Sequence, residues 1–137
     1  MSRTKNVQNA LIQALYTAIN GQYPIKLPNQ PFTTPNGVWL RFTYLPNQPT
    51  QIALGSSGLD RITGVFQIDV FAPKASGRNT SITIVDNLSS SAFKSGVRYT
   101  VTGGEVLIRS SGYGGDREES NWYQSIINVE FIADLVR

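Results

Sequence analysis

The sequence predicts an α+β protein: a mostly antiparallel or mixed sheet of about five strands flanked by two helices. Three observations carry this expectation. Residues 4–19 place Val7, Ala10, Leu11, Ala14, Leu15, Ala18 and Ile19 at helical spacing on one face. A second such stripe, Ile82, Val85, Leu88, Ser89, Ala92 and Phe93, lies near the middle of the chain. Five runs rich in β-branched and aromatic residues make up the rest. The order α, β, β, α, β, β, β gives two helices to cover one face of a sheet.

The first helix has Thr4 as a plausible N-cap and ends at Asn20–Gly21, where positive φ is tolerated. Residues 22–37, "QYPIKLPNQPFTTPNG", are proline-rich and therefore extended and irregular. Their Phe, Tyr, Leu and Ile predict a segment pinned to the surface, not a free linker. "VWLRFTY", 38–44, reads as a strand with Trp39, Arg41 and Thr43 on one side and Leu40, Phe42 and Tyr44 on the other.

"ITGVFQIDVFA", 62–72, alternates in the same way, Phe66, Ile68 and Val70 against Val65, Gln67, Asp69 and Phe71, and Pro73 stops it. Asn79 or Thr80 can cap the second helix, whose serines and β-branched residues make it dependent on packing. "VRYTV" and "EVLIRS" flank Gly103–Gly104 as a hairpin. "SGYGGDREES", 111–120, reads as a loop before the last strand, 121–136. There Tyr123, Ile127, Val129 and Phe131 face the core and Gln124, Asn128, Glu130 and Asp134 face out.

Composition narrows the chemistry. The chain has 137 residues, no cysteine and no histidine. Thiol nucleophiles, disulfides, thiolate metal sites and serine–histidine pairs are therefore excluded within one chain. The net charge of +3, from 12 basic and 9 acidic residues, is a mild bias without a polybasic run. The first residues lack the apolar core of a signal peptide, and no window approaches the ~20 apolar residues that span a membrane.

The stretch "LGSSGLDRITGVFQIDVFAP", 54–73, tests a phosphate loop directly. Glycines stand beside Arg61, but no lysine follows Gly58, Asp60 would repel an anion, and the stretch leads into a strand instead of a helix. A glycine-set turn before a strand fits better. Asp116, Glu118 and Glu119 cluster beside Arg117, yet in a glycine-rich loop that offers no rigid pocket for acid–base work, and at no EF-hand spacing. Arg41, Arg98 and Arg109 interrupt apolar strands, as residues that blunt an edge or present charge to a partner do. A nucleic-acid groove needs arginine and aromatic side chains on one face. Trp39 and Arg41 satisfy that, and Arg98 and Tyr99 do not. What remains is a chain poor in catalytic groups and rich in long loops, which suits an assembly subunit.

The amphipathic N-terminal helix, "LPNQPFTTPNGVWLRFTYLP", "LGSSGLDRITGVFQIDVFAPKASGR" and "NWYQSIINVEF", in that order, resemble the tail terminator proteins of long-tailed phages, and more narrowly the small family related to the lambda type. The likeness covers nearly all of residues 1–137, which implies a single domain. It is most specific at Leu54–Gly55, Gly58, Arg61, Gly64, Phe66–Gln67, Asp69, Val70, Pro73 and Gly77.

The resemblance implies a virion protein of the tail and neck, made in the host cytoplasm and without enzymatic activity, cofactor or membrane. It implies a homo-hexameric ring, weakly formed before it meets the tube. One face would dock on the tail tube protein and the other on head-completion proteins, and DNA would pass through the lumen unread. Ring and tube contacts are expected in the 46–61 and 111–120 loops. Arg41, Arg61 and Arg117 of one copy are expected to meet Asp60, Asp116, Glu118 or Glu119 of the next. Another connector or a tube subunit is the nearest alternative, and a nucleic-acid-binding module a more distant one.

Overall fold

A computed structural model of the chain describes residues 3–28, 30–47, 50–51, 58–74, 78–119 and 121–136. Helix α1 spans Arg3–Ile19 and α2 Arg78–Ser90. The strands are β1 Ile25–Lys26, β2 Trp39–Pro46, β3 Thr50–Gln51, β4 Leu59–Pro73, β5 Arg98–Val101, β6 Gly104–Glu119 and β7 Trp122–Val136. The α+β expectation holds, with seven strands among the described residues where about five were expected.

The sheet runs β1-β2-β4-β7-β6-β5, and β3 pairs separately with β4. Among the described residues only β1 and β2 are parallel, so the sheet is mixed. Its backbone is the β4–β7 pair, in register from Leu59↔Val136 to Pro73↔Trp122. This pairing explains why β4 starts at Leu59 and not at residue 62. Gly64 consequently lies inside the strand. A Cβ there would stand 2.7 Å from both the Leu45 carbonyl oxygen and the Pro46 Cα, so the glycine lets the end of β2 come close.

The stretch 111–120, expected to be a loop, is strand over its described residues. Residues 111–119 are the outer half of β6, paired with β7 up to Glu119↔Trp122, and residue 120 lies outside the described ones. Two register irregularities, between Ile108 and Ser110 and between Tyr113 and Gly115, absorb the extra residues. Pairing with a long apolar strand overrides the local glycine-rich composition. The β5–β6 turn is Thr102–Gly103, with Gly103 at φ +89°, and Gly104 already pairs with Val101.

One face of the sheet carries the core. Leu40, Phe42, Phe66, Ile68, Val70, Ile127, Val129, Phe131, Val106 and Ile108 meet Val7, Leu11, Leu15 and Ile19 of α1 and Ile84, Val85 and Leu88 of α2. Of the expected α1 stripe, Ala10 is half-buried and Ala18 exposed. The side chain of Thr4 lies outside the described ones. Asn79 and Thr80 sit inside α2 and do not cap it. Phe93, just past α2, packs edge-on against Phe66, and the buried hydroxyls of Ser81 and Ser125 pair at 2.7 Å. The 22–37 segment is pinned as expected: β1 lies in it, and Phe32 packs on Trp39.

Candidate functional site

Strand alternation puts a second set of side chains on the helix-free face, and there the charged residues collect. Trp39, Arg41, Thr43 and Leu45 of β2 align with Phe71, Asp69, Gln67 and Val65 of β4. These in turn align with Gln124, Ile126, Asn128 and Glu130 of β7.

At one end of this face Trp39 stacks on Phe71 with ring centroids 4.1 Å apart and meets Trp122 edge-on. Gln124, cross-strand from Phe71, is fully buried. The expectation that it faces solvent fails because this aromatic group covers its end of the outer face. Its Oε1 accepts from Arg117 Nε at 3.1 Å.

Arg41 comes next. Its Nε donates to Asp69 at 2.9 Å, and its guanidinium lies 5.2 Å from the Phe71 ring centroid. Asp69 is fully buried and also accepts from Gln67 Nε2 at 2.7 Å. Two donors thus hold a carboxylate that burial would otherwise penalise. At the far end Arg61 and Asp134 pair across β4 and β7, Nε–Oδ1 at 2.8 Å and Nη2–Oδ2 at 3.1 Å. The hydrogen bond from Arg61 lowers the Asp134 carboxyl below its ordinary range, against a smaller opposing effect of burial, and the Asp134 bond raises the Arg61 guanidinium. Arg98 bonds Glu105 at 2.9 Å on β5 and β6.

The residues expected at subunit contacts therefore fall into two groups. Arg41 and Arg61 have acidic partners in their own chain, namely Asp69 and Asp134, which the sequence placed on the strands but did not pair. Asp60 is buried at the start of β4, opposite Leu135. Asp116 accepts from the Tyr123 hydroxyl. Glu118 lies on the β6–β7 tip, its carboxylate 3.7 Å from Lys74 Nζ. Glu119 pairs with Trp122 at the end of β6, and its side chain lies outside the described ones. Of the 46–61 loop, Thr50–Gln51 forms β3, Leu59–Arg61 opens β4, and residues 48–49 and 52–57 lie outside the described ones. An aspartate inside an apolar strand was the signal for the Arg41 partner, but choosing between partners needed the register.

Concavities beside the sheet include the following two. A notch of about 400 Å³ at the β1–β2 edge is lined by Lys26, Pro28, Arg41, Phe42, Thr43 and Tyr44, among others. A groove of about 560 Å³ lies between α1 and the end of α2, beside Tyr99. Among the described residues no group of three or more acidic side chains is placed to hold a metal ion.

No curated protein matches the sequence. A solved chain bearing no functional description is 22% identical and superposes with a TM-score of 0.78, covering 97% of this chain and 96% of that one. A chain from the virion of a native gene transfer agent particle is 14% identical with a TM-score of 0.59, covering 98% and 97%. At these identities both show a shared fold. The family model for phage tail terminator proteins matches residues 6–131, nearly the whole chain. The protein belongs to the phage tail terminator family.

Proposed function

We infer that the protein caps the completed tail tube as a homo-hexameric ring, stops tube polymerisation and offers the surface on which the head is joined. The family match over residues 6–131 is the observation that carries this reading. The likeness to a gene transfer agent virion chain, and an architecture of one sheet with helices on one side, agree with a structural part of a tail. The chain acts as one domain, in the tail or neck of the virion, without enzymatic chemistry or cofactor, and DNA passes through the ring without being read.

The interface residues are proposed anew from the partners that each already has within the chain. Arg41 with Asp69, and Asp116 with Tyr123, stiffen the sheet from within. Arg61 and Glu118 stay half-exposed or exposed while paired. With Arg117 and Glu119 on the β6–β7 tip, and Leu59–Arg61 at the opposite end of β4, they are the groups offered to the tube and to head-completion proteins. A head-to-tail ring uses two different patches on each copy.

Mass photometry of the protein alone and with its tail-tube subunit tests this. Capped tubes of fixed length and a discrete six-copy species are expected. A chain that stays monomeric in both mixtures, while tubes grow unchecked, overturns the reading.

A further inference from the structure

The ladder that closes the outer edge of β2 stops at a proline. Leu40 donates its N–H to the Pro24 carbonyl at 2.9 Å, away from β4. Residues two apart on a strand turn their backbone groups the same way, so Phe42 and Tyr44 also turn theirs away from β4. Asn47 shows the other half of the alternation: its N–H goes to Thr63, toward β4, at 2.7 Å.

Along this edge β1 pairs Ile25 with Leu40 and Lys26 with Arg41, and goes no further. The next rung would bring the N–H of residue 28 to the Phe42 carbonyl. That residue is Pro28, which has no N–H. Among the described residues the Phe42 carbonyl and both backbone groups of Tyr44 are left without a strand partner on this side. The notch of about 400 Å³ opens at this point, with Lys26 and Pro28 on one side and Thr43 and Tyr44 on the other. An open strand edge beside a cleft is where a foreign strand can add to a sheet.

Charge says what kind of strand. The lining of the notch includes no acidic residue. Arg41 is matched by buried Asp69. Lys26 is exposed on the rim and has no ion pair among the described residues, so it is the unmatched charge of the notch. The occupant must bring a carboxylate on an extended backbone. This chain has nine acidic residues, and each lies in α2 or in β4, β6 or β7, strands already paired in the sheet. A second copy thus has no acidic side chain on a spare extended segment, which leaves the partner on which the ring is built.

We propose that the notch takes an extended, acidic segment of the tail-tube subunit, which adds to the edge of β2 at Tyr44, where β1 ends, and sets a carboxylate against Lys26. The Tyr44 N–H donates to a carbonyl of that segment, and the Phe42 and Tyr44 carbonyls accept from its N–H groups. The inference rests on the capping role proposed above and adds the surface and chemistry of the contact.

Purified tail-tube subunit, mixed with the full chain, is the probe. Amide exchange at Tyr44 is expected to slow by at least about tenfold in the complex, as a new backbone bond requires. The amides of Arg41 and Thr43, already turned toward β4, are expected to change little. Lys26→Glu is expected to weaken binding of the tube subunit by about tenfold or more, and Lys26→Arg to bind as the parent does, because the charge makes the contact. Lys26 is exposed, so both variants are expected to melt with the parent.

A tube subunit that binds without slowing Tyr44, or that binds Lys26→Glu as tightly as the parent, overturns the edge contact and leaves the capping role standing. Slowing of Tyr44 that grows with the concentration of the chain alone overturns it in favour of a second copy. A tube subunit that does not bind the parent at all overturns both.

Discussion

Arg61 and Asp134 face each other across β4 and β7 and close a bidentate pair at 2.8 and 3.1 Å. A carboxylate so held has its pKa lowered, so its contribution to stability is present above the ordinary carboxylate value. It is lost as pH falls through the lowered folded value. Both groups are about 40% exposed, at 43% and 37%, so salt screens the pair and its net worth is small. NMR titration of Asp134 is expected to show a midpoint below that of a free aspartate, moving up toward it in Arg61→Met. An unshifted midpoint in the wild-type protein would contradict the pairing.

The Arg41–Asp69 pair should behave differently, because Asp69 is fully buried. Arg41→Met leaves a buried carboxylate with Gln67 as its remaining side-chain donor and should cost about 3 kcal/mol in chemical denaturation. Adding Asp69→Leu removes the stranded charge and should restore much of that loss. A double variant no more stable than Arg41→Met would show that the charge is not the cause.

Gly64 and Gly112 make a matched comparison within the sheet. Gly64→Ala forces a Cβ against backbone atoms of Leu45 and Pro46 and should destabilise by about 1–3 kcal/mol. Gly112→Ala meets open space and should change monomer stability by less than about 0.5 kcal/mol. Thermal melts of the two variants decide this, and equal melting temperatures would contradict the close approach of β2 to β4.

Tyr44 carries a buried hydroxyl without a hydrogen-bond partner among the described residues, while its ring stacks on Phe42 and Phe131. Burial pushes its pKa up to about 12. A raised acid pKa favours the folded state through its neutral form, fully below the unfolded value near 10, and that contribution disappears as pH rises through about 12. Ultraviolet titration should show a tyrosine ionising near pH 12 that is missing in Tyr44→Phe. Removing an unsatisfied hydroxyl should leave that variant at least as stable as the parent at neutral pH. Loss of stability there would mean that the hydroxyl is bonded.

Much of the fold was legible in the sequence because its signals are local. The α1 stripe Val7, Leu11, Leu15 and Ile19 and the alternation of Phe66, Ile68 and Val70 are read from spacing alone, and both ended in the core. The outer half of β6 was not legible. Gly112, Gly114 and Gly115 signal a loop, and only pairing with distant β7 makes them strand.

The ion pairs failed to show for the same reason. Arg41 and Asp69, or Arg61 and Asp134, become neighbours through register, which residue types do not encode. Gln124 looked outward by parity, correctly for its face, but the cover from Trp39 and Phe71 comes from two other strands.

The central claim is that this chain sets the length of a tail. Electron microscopy of particles assembled without it measures that directly, as the length distribution of their tail tubes and the fraction joined to heads. The account predicts overlong, variable tubes that remain unjoined, with uniform joined tails restored when the protein is supplied. Tails of unchanged, uniform length attached to heads in its absence would contradict it.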